Sequence, residues 1–326
     1  MNPVHHARQA GFGLVELLIA LVLGLIVVGG AVSVFASNRQ VFRTTEGLSN
    51  LQENARLGFE LMTRDIRDAG GTPCSKNIPV ANVLVGSAGN WMYDWGNGIQ
   101  GYEPGNAVAF LPASGVGSRV AGTDAIVLHS GGTAGMSIAS VDAPNARITL
   151  NTTAHGLNSG DIVLVCDYRQ ATVTQVTSAS PASAEIVHGT GGSTPGNCSR
   201  GLGFPTSCAT TAGNQYAYAP NSIVARYTSV AWYIGNNLRG RTSLFRKTAG
   251  NAPPEEIAEG ISNLQIEYLV PGSANYVAST GVGANWGNIN AIRIAFTAQS
   301  AERVAVGGQR LSRDIVYYAA LRNRNQ

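Results

Sequence analysis

The chain has 326 residues, 13% of them charged, with 40 glycines and a formal net charge of +3. So small a charge gives no support to a strongly basic nucleic-acid-binding surface. Few charges with many glycines fit an exported, turn-rich β protein better than a cytosolic enzyme, and the length allows one large domain or two modest ones.

Residues 1–11 hold His5, His6 and Arg8 and no acid. From Leu17 to Ala36 the chain then runs 20 residues without a charge. As a helix this stretch is roughly 30 Å long, the thickness of a bilayer's hydrocarbon core. One carboxylate, Glu16, stands at its upstream edge. A secretory signal is one reading, with Val34-Phe35-Ala36 before Ser37 as the cleavage site, but signal cores usually run about 7–15 residues. A plain single-pass anchor is another, and it leaves the carboxylate unexplained, because a charge near lipid is costly.

Gly11-Phe12-Gly13-Leu14-Val15-Glu16 resembles the processing motif of type IV prepilins. The resemblance implies that a membrane peptidase cuts after Gly11 and that the new amino terminus on Phe12 is methylated. It also implies that Glu16 neutralises a terminal amine, its own or a neighbouring subunit's, during filament assembly. Physical reasoning runs the same way: a charge at this depth needs a partner.

Beyond Ser37 the helical pattern continues. Val34, Val41, Leu48, Ala55, Met62 and Ala69 recur every seven residues, with Leu51, Phe59 and Ile66 beside them, giving one apolar stripe. Arg56, Glu60, Arg64 and Asp68 form an alternating i,i+4 series on another face. Gly70-Gly71 and Pro73 supply a stop. The pattern predicts one helix from Phe12 to Ala69, roughly 87 Å long, whose second half docks on a sheet; a coiled coil also accounts for the stripe. Gly24, Gly29 and Gly30 interrupt the membrane half, either for close helix packing or as a point where the helix loosens on leaving lipid.

Residues 72–220 read as a β-rich insertion or head. Strands are predicted at Val80–Val85, Ala107–Leu111, Asp124–His129, Met136–Val141, Arg147–Leu150, Asp161–Cys166, Ala171–Thr177 and Ala184–His188. Trp91, Tyr93, Trp95 and Tyr102 crowd one Gly/Asn-rich loop, which reads as an aromatic cover over the core or as a sugar or surface contact. Further strands are predicted at Ser222–Ile234, Thr242–Lys247, Leu264–Val270, Ala291–Gln299 and Ile315–Leu321. The four cysteines all lie beyond the membrane segment, and an even count outside the cytoplasm suggests disulfides. Three connectivities exist. Cys198 and Cys208 flank a Gly/Pro-rich loop, which favours their pairing and leaves Cys74 for Cys166.

Two further stretches resemble PilW-like minor pilins of type IV pili. One is the helix end L-Q-E-N-A-R-L-G-F-E-L-M-T-R-D-I-R-D-A-G, the other E-G-I-S-N-L-Q-I-E-Y with I-R-I-A-F-T and A-L-R-N-R near the C-terminus. The expected fold is α+β: a long N-terminal helix, transmembrane then amphipathic, packed on an antiparallel pilin-like sheet with a large β-rich insertion. The expected segments are a leader (1–11), the membrane or filament-core half-helix (12–36), the amphipathic half (37–71), the insertion (72–220) and the pilin-like sheet (221–326). The resemblance implies an inner-membrane, single-pass protein with a periplasmic head that later reaches the pilus. Its implied partners are other minor pilins, the major pilin, the prepilin peptidase, the inner-membrane assembly platform and membrane lipid. A minor pseudopilin of type II secretion and a pilus-tip adhesin are the rival readings.

No hydrolase, P-loop or metalloprotease motif is present, and His129, His155 and His188 are scattered without ligand spacing. The chain is therefore expected to be non-catalytic, with no cofactor, no metal and no specific nucleic acid. Asp161 and Asp167 read as the solvated edge of one strand.

Overall fold

A computed structural model describes residues 13–321 except 77, 97, 107, 109, 133, 134 and 304–307. The first helix, α1, runs from Leu14 to Asp68. Its end is made by Gly70, whose φ of 67° is a left-handed conformation that L side chains rarely adopt. The Gly70 N–H then donates to the His129 carbonyl at 2.8 Å. Sixteen strands follow among the described residues. They are β1 (Val80–Asn82), β2 (Ile99–Tyr102), β3 (Ala125–Ser130), β4 (Gly135–Asp142), β5 (Arg147–Leu150), β6 (Ile162–Cys166), β7 (Ala171–Gln175) and β8 (Ser178–Ala179). The second half comprises β9 (Glu185–Val187), β10 (Ile223–Arg226), β11 (Thr228–Asn236), β12 (Thr242–Thr248), β13 (Glu255–Glu259), β14 (Ile261–Leu269), β15 (Ala291–Gln299) and β16 (Ser312–Ala320). A short helix, α2 (Ser279–Val282), lies between β14 and β15.

The chain divides into two units, residues 1–50 with 300–311, and residues 51–299 with 312–326. The first holds the apolar part of α1, exposed along its described length apart from two half-exposed residues, and a loop closed by Ser300 N–H donating to the Leu311 carbonyl at 2.8 Å. The second holds three sheets. An eight-stranded sheet has the order β1-β7-β6-β10-β4-β5-β9-β8, a five-stranded one β13-β12-β11-β3-β2, and a three-stranded one β14-β15-β16. β1 and β7 run parallel; the other strand pairs are antiparallel.

From Leu51 onward α1 buries Leu51, Ala55, Met62 and Ile66 in one core with Trp232, Leu244, Ile266, Ile294 and Phe296. The helix thus packs on the five- and three-stranded sheets. Val34 and Val41, on the same stripe, stay 62% and 61% exposed, and Leu48 is 37% exposed, so docking starts only at Leu51. β15 alternates buried and half-buried along its whole length, as expected when one face meets a core and the other water. A separate core around Ile148, Val163, Val176 and Leu202 lies on the eight-stranded sheet.

Several strand expectations are corrected. The run Ser222–Ile234 is two strands: β10 joins the eight-stranded sheet and β11 the five-stranded one. Tyr227 sits at the switch, its hydroxyl 2.8 Å from Nδ1 of the buried His129. Residues of strong β propensity continue through the switch, so composition conceals it. β2 and β13 were not expected; both are edge strands, where charged and glycine-containing segments are tolerated. The strand expected at Ala107–Leu111 is not formed by Phe110 and Leu111, which lie in a turn, and residues 107 and 109 lie outside the described set. Asp161 and Asp167 flank β6 instead of sharing it: Asp161 pairs with Arg226 at 2.8 Å, and Asp167 accepts from the Tyr216 hydroxyl at 2.5 Å.

Asp124 joins two sheets. Its Oδ2 accepts from Ile266 N–H at 2.7 Å, while Oδ1 is buried with no partner among the described residues. Burial raises its pKa from 3.8 to about 6, with the Ile266 N–H and Arg119 acting in the opposite direction. A raised acid favours the neutral form, so this stabilisation is full below about 3.8 and is lost as pH rises through about 6. That gap corresponds to about 3 kcal/mol. Asp124→Asn should therefore be more stable than wild type above pH 6 by up to this amount, with the difference vanishing toward pH 4, as read by urea unfolding across pH. Taking the difference cancels the contrary pull of His129 and His188, whose pKa values burial lowers to about 4.

Candidate functional site

The first turn of α1 begins at Gly13, whose carbonyl accepts from Leu17 N–H at 3.2 Å. Three residues on, Glu16 reaches back so that its Oε2 accepts from the Gly13 N–H at 3.4 Å. This is the glutamate half of a capping box, and a carboxylate there is also favoured by the helix dipole. At 3.4 Å the bond is long, so most of the carboxylate's accepting capacity stays open. No basic side chain pairs with it among the described residues. Gly11 and Phe12 lie outside the described residues.

Above this acid the helix is greasy on every face. From Leu14 to Phe35 the large apolar side chains are 53–76% exposed, and an 18-residue stretch with the composition of a membrane span has none of its residues buried. A Cβ added at Gly24, Gly29 or Gly30 would meet nothing within 4 Å. Among the described residues, then, neither these glycines nor the apolar surface has a packing partner, which is the signature of a segment made for lipid or other helices.

The docked half is fixed by different means. A Cβ on Gly58 would lie 2.8 Å from Leu244 Cδ2, so glycine permits the close crossing with β12. Phe59 stacks on Tyr317 at 3.9 Å between ring centres. Asp65 accepts from Trp232 Nε1 at 2.9 Å and from Arg246 Nε at 2.8 Å, clamping α1 to β11 and β12. Sequence reasoning overlooked Asp65. The signal was there: it lies three residues after Met62 and four before Ala69, a carboxylate inside the apolar stripe.

Both favoured disulfides are formed. Cys74–Cys166 ties the segment after α1 to β6, and Cys198–Cys208 closes the Gly/Pro-rich loop. The aromatic loop lies over the second face of the five-stranded sheet, with Trp91 against Val127 and Ala231, which supports the cover reading. Asn197, next to the disulfide-bonded Cys198, is 2% exposed, and its side-chain Nδ2 donates to the Gln175, His188 and Gly189 carbonyls. Among the described residues, no three His, Cys, Asp or Glu side chains converge as a metal site would need.

Comparison with known proteins finds two families. Residues 6–32 match the prokaryotic N-terminal methylation motif. Residues 231–319, from within β11 into β16, match type IV pilus-assembly protein W. The pilin-like protein PilA3 of Thermus thermophilus is 37% identical over 62 residues, 19% of this chain and 27% of the relative. The chain thus spans about a quarter of the length of that relative. No solved structure matches it.

Proposed function

The chain is a PilW-like minor pilin of the type IV pilus kind, and from that premise we propose that it is a structural subunit that helps start or cap the filament. It is made as a precursor, cut after Gly11, methylated on Phe12 and held in the inner membrane by the first half of α1 with its β-rich head in the periplasm. It then leaves the membrane through the assembly platform and packs with other minor pilins and the major pilin. The apolar half-helix enters the filament core, and Glu16 meets a neighbour's terminal amine.

The observation that carries this reading is the bare helix: 53–76% exposure of its large apolar side chains cannot persist in water. Lipid covers it before assembly and other pilins afterwards. The match over 231–319 to a pilus-assembly family favours the pilus over a secretion filament. Fractionation tests the reading. Antibody to the head should detect the chain in membranes and in sheared filaments, and a null strain should lose surface filaments. A wholly soluble chain, or surface filaments retained by the null strain, would contradict it.

A further inference from the structure

β16 ends the three-stranded sheet, and its bonds to β15 fix which backbone groups it has left over. Ser300 N–H donates to the Leu311 carbonyl at 2.8 Å at one end, and Leu321 N–H to the Asn290 carbonyl at 2.9 Å at the other. With the unbroken register between them, Arg313, Ile315, Tyr317 and Ala319 turn their N–H and C=O groups to β15. Ser312, Asp314, Val316, Tyr318 and Ala320 turn theirs outward. All five are exposed, and no described residue bonds to those backbone groups.

That open row is unlike the other sheet edges among the described residues. β1 is three residues long, and its Asn82 N–H donates to Thr206 Oγ1 at 2.8 Å. β8 has two residues, and β13 carries Glu255, Glu256 and Glu259. At β2 the Tyr102 carbonyl accepts from Arg119 at 3.1 Å, and at β14 Tyr268 exchanges two backbone bonds with Val277. Short, charged or covered edges are how folds refuse a stray strand. β16 uses none of these devices over most of its length. From Ile315 to Leu321 there is no charge, proline or glycine, and the register carries no bulge.

Unpaired N–H and C=O groups along an extended backbone are complementary to another extended backbone. The flanking side chains narrow the choice. On one face Val316 and Tyr318 are 41% and 61% exposed, so apolar side chains of an added strand gain cover beside them. On the other face α1 stands over the strand. There Phe59 stacks on Tyr317, and the exposed Arg56–Glu60 pair lies within electrostatic reach of the Tyr317 hydroxyl, so that side suits polar residues. A second copy is disfavoured. Two β16 edges paired antiparallel are related by a two-fold axis normal to the sheet, which points the helices docked on it in opposite directions. Two anchors in one membrane do not allow that. We infer that β16 is completed in the filament by a strand of alternating apolar and polar residues from a different pilin subunit. The inference rests on the assembly reading and adds to it the place and kind of contact.

The test uses the full chain in piliated cells. With p-benzoylphenylalanine in place of Tyr318, irradiation should join the chain to an extended segment of another pilin, located by mass spectrometry of the linked peptides. Val316→Pro removes one outward N–H and leaves the bonds to β15 intact; Val316→Ala trims the side chain and keeps the N–H. The proline variant should lower both the cross-link and the filament count by about tenfold or more, and the alanine variant should lower neither. Melting of each purified variant checks its fold, and if the proline variant does not fold, the cross-link decides alone. Equal behaviour of folded proline and alanine variants, or a cross-link to a second copy of this chain, would overturn the inference. Filaments that contain the chain but yield no cross-link would also overturn it, and would leave the assembly reading standing.

Discussion

Glu16→Ala should leave the leader's removal intact and abolish incorporation into filaments. In the proposed filament each subunit brings a positive terminal amine into the apolar core, and a charge left unpaired there costs about 3–5 kcal/mol. At 1.4 kcal/mol per tenfold, incorporation should fall at least a hundredfold. The same carboxylate also bonds the Gly13 N–H of its own helix, so loss of helix capping must be separated from loss of charge. Glu16→Gln does so, because glutamine caps equally well but carries no charge. It too should fail. Normal piliation in Glu16→Gln would reduce Glu16 to a helix cap and remove the charge-pairing step from the proposal.

Asp65→Ala should loosen α1 from the head. The substitution strips an ion-pair partner from Arg246 and an acceptor from Trp232 at a site where the Asp65 and Arg246 side chains are 20% and 25% exposed. The expected cost is about 3 kcal/mol, or roughly 5–10 °C in the melting temperature of the detergent-solubilised chain. Combining it with Arg246→Ala should cost clearly less than the two single changes added together, since the second deletion removes the stranded charge. Strict additivity would mean the clamp contributes nothing as a pair.

What could be read before the structure follows a physical line. Periodicity was legible: the single long helix, its buried stripe from Leu51 to Ile66, β15 over Ala291–Gln299 and the alternation along it all follow from apolar spacing, whereas the exposure of Val34, Val41 and Leu48 on the same stripe did not. The cysteine pairing was legible because a ten-residue separation flanks a loop of turn-formers. The edges were not. β2 and β13 carry Gly101 and three glutamates, and an edge strand needs neither alternation nor strong propensity because only one side is paired. The switch at Tyr227 was hidden because propensity reports an extended backbone, not which sheet receives it. At the entry of α1, Glu16 stood out as a lone acid. Asp65 was legible as a carboxylate inside the apolar stripe, but its partners Trp232 and Arg246 were not, since they lie more than 160 residues away.

The most direct check on the central claim is the mass of the amino-terminal peptide from chain extracted from the membranes of a piliated cell. A peptide beginning at singly methylated Phe12 is the predicted result, because on the proposed reading the apolar rod and its acid enter a filament only once the leader is gone. A peptide still carrying residues 1–11, or one beginning at Ser37, would contradict it.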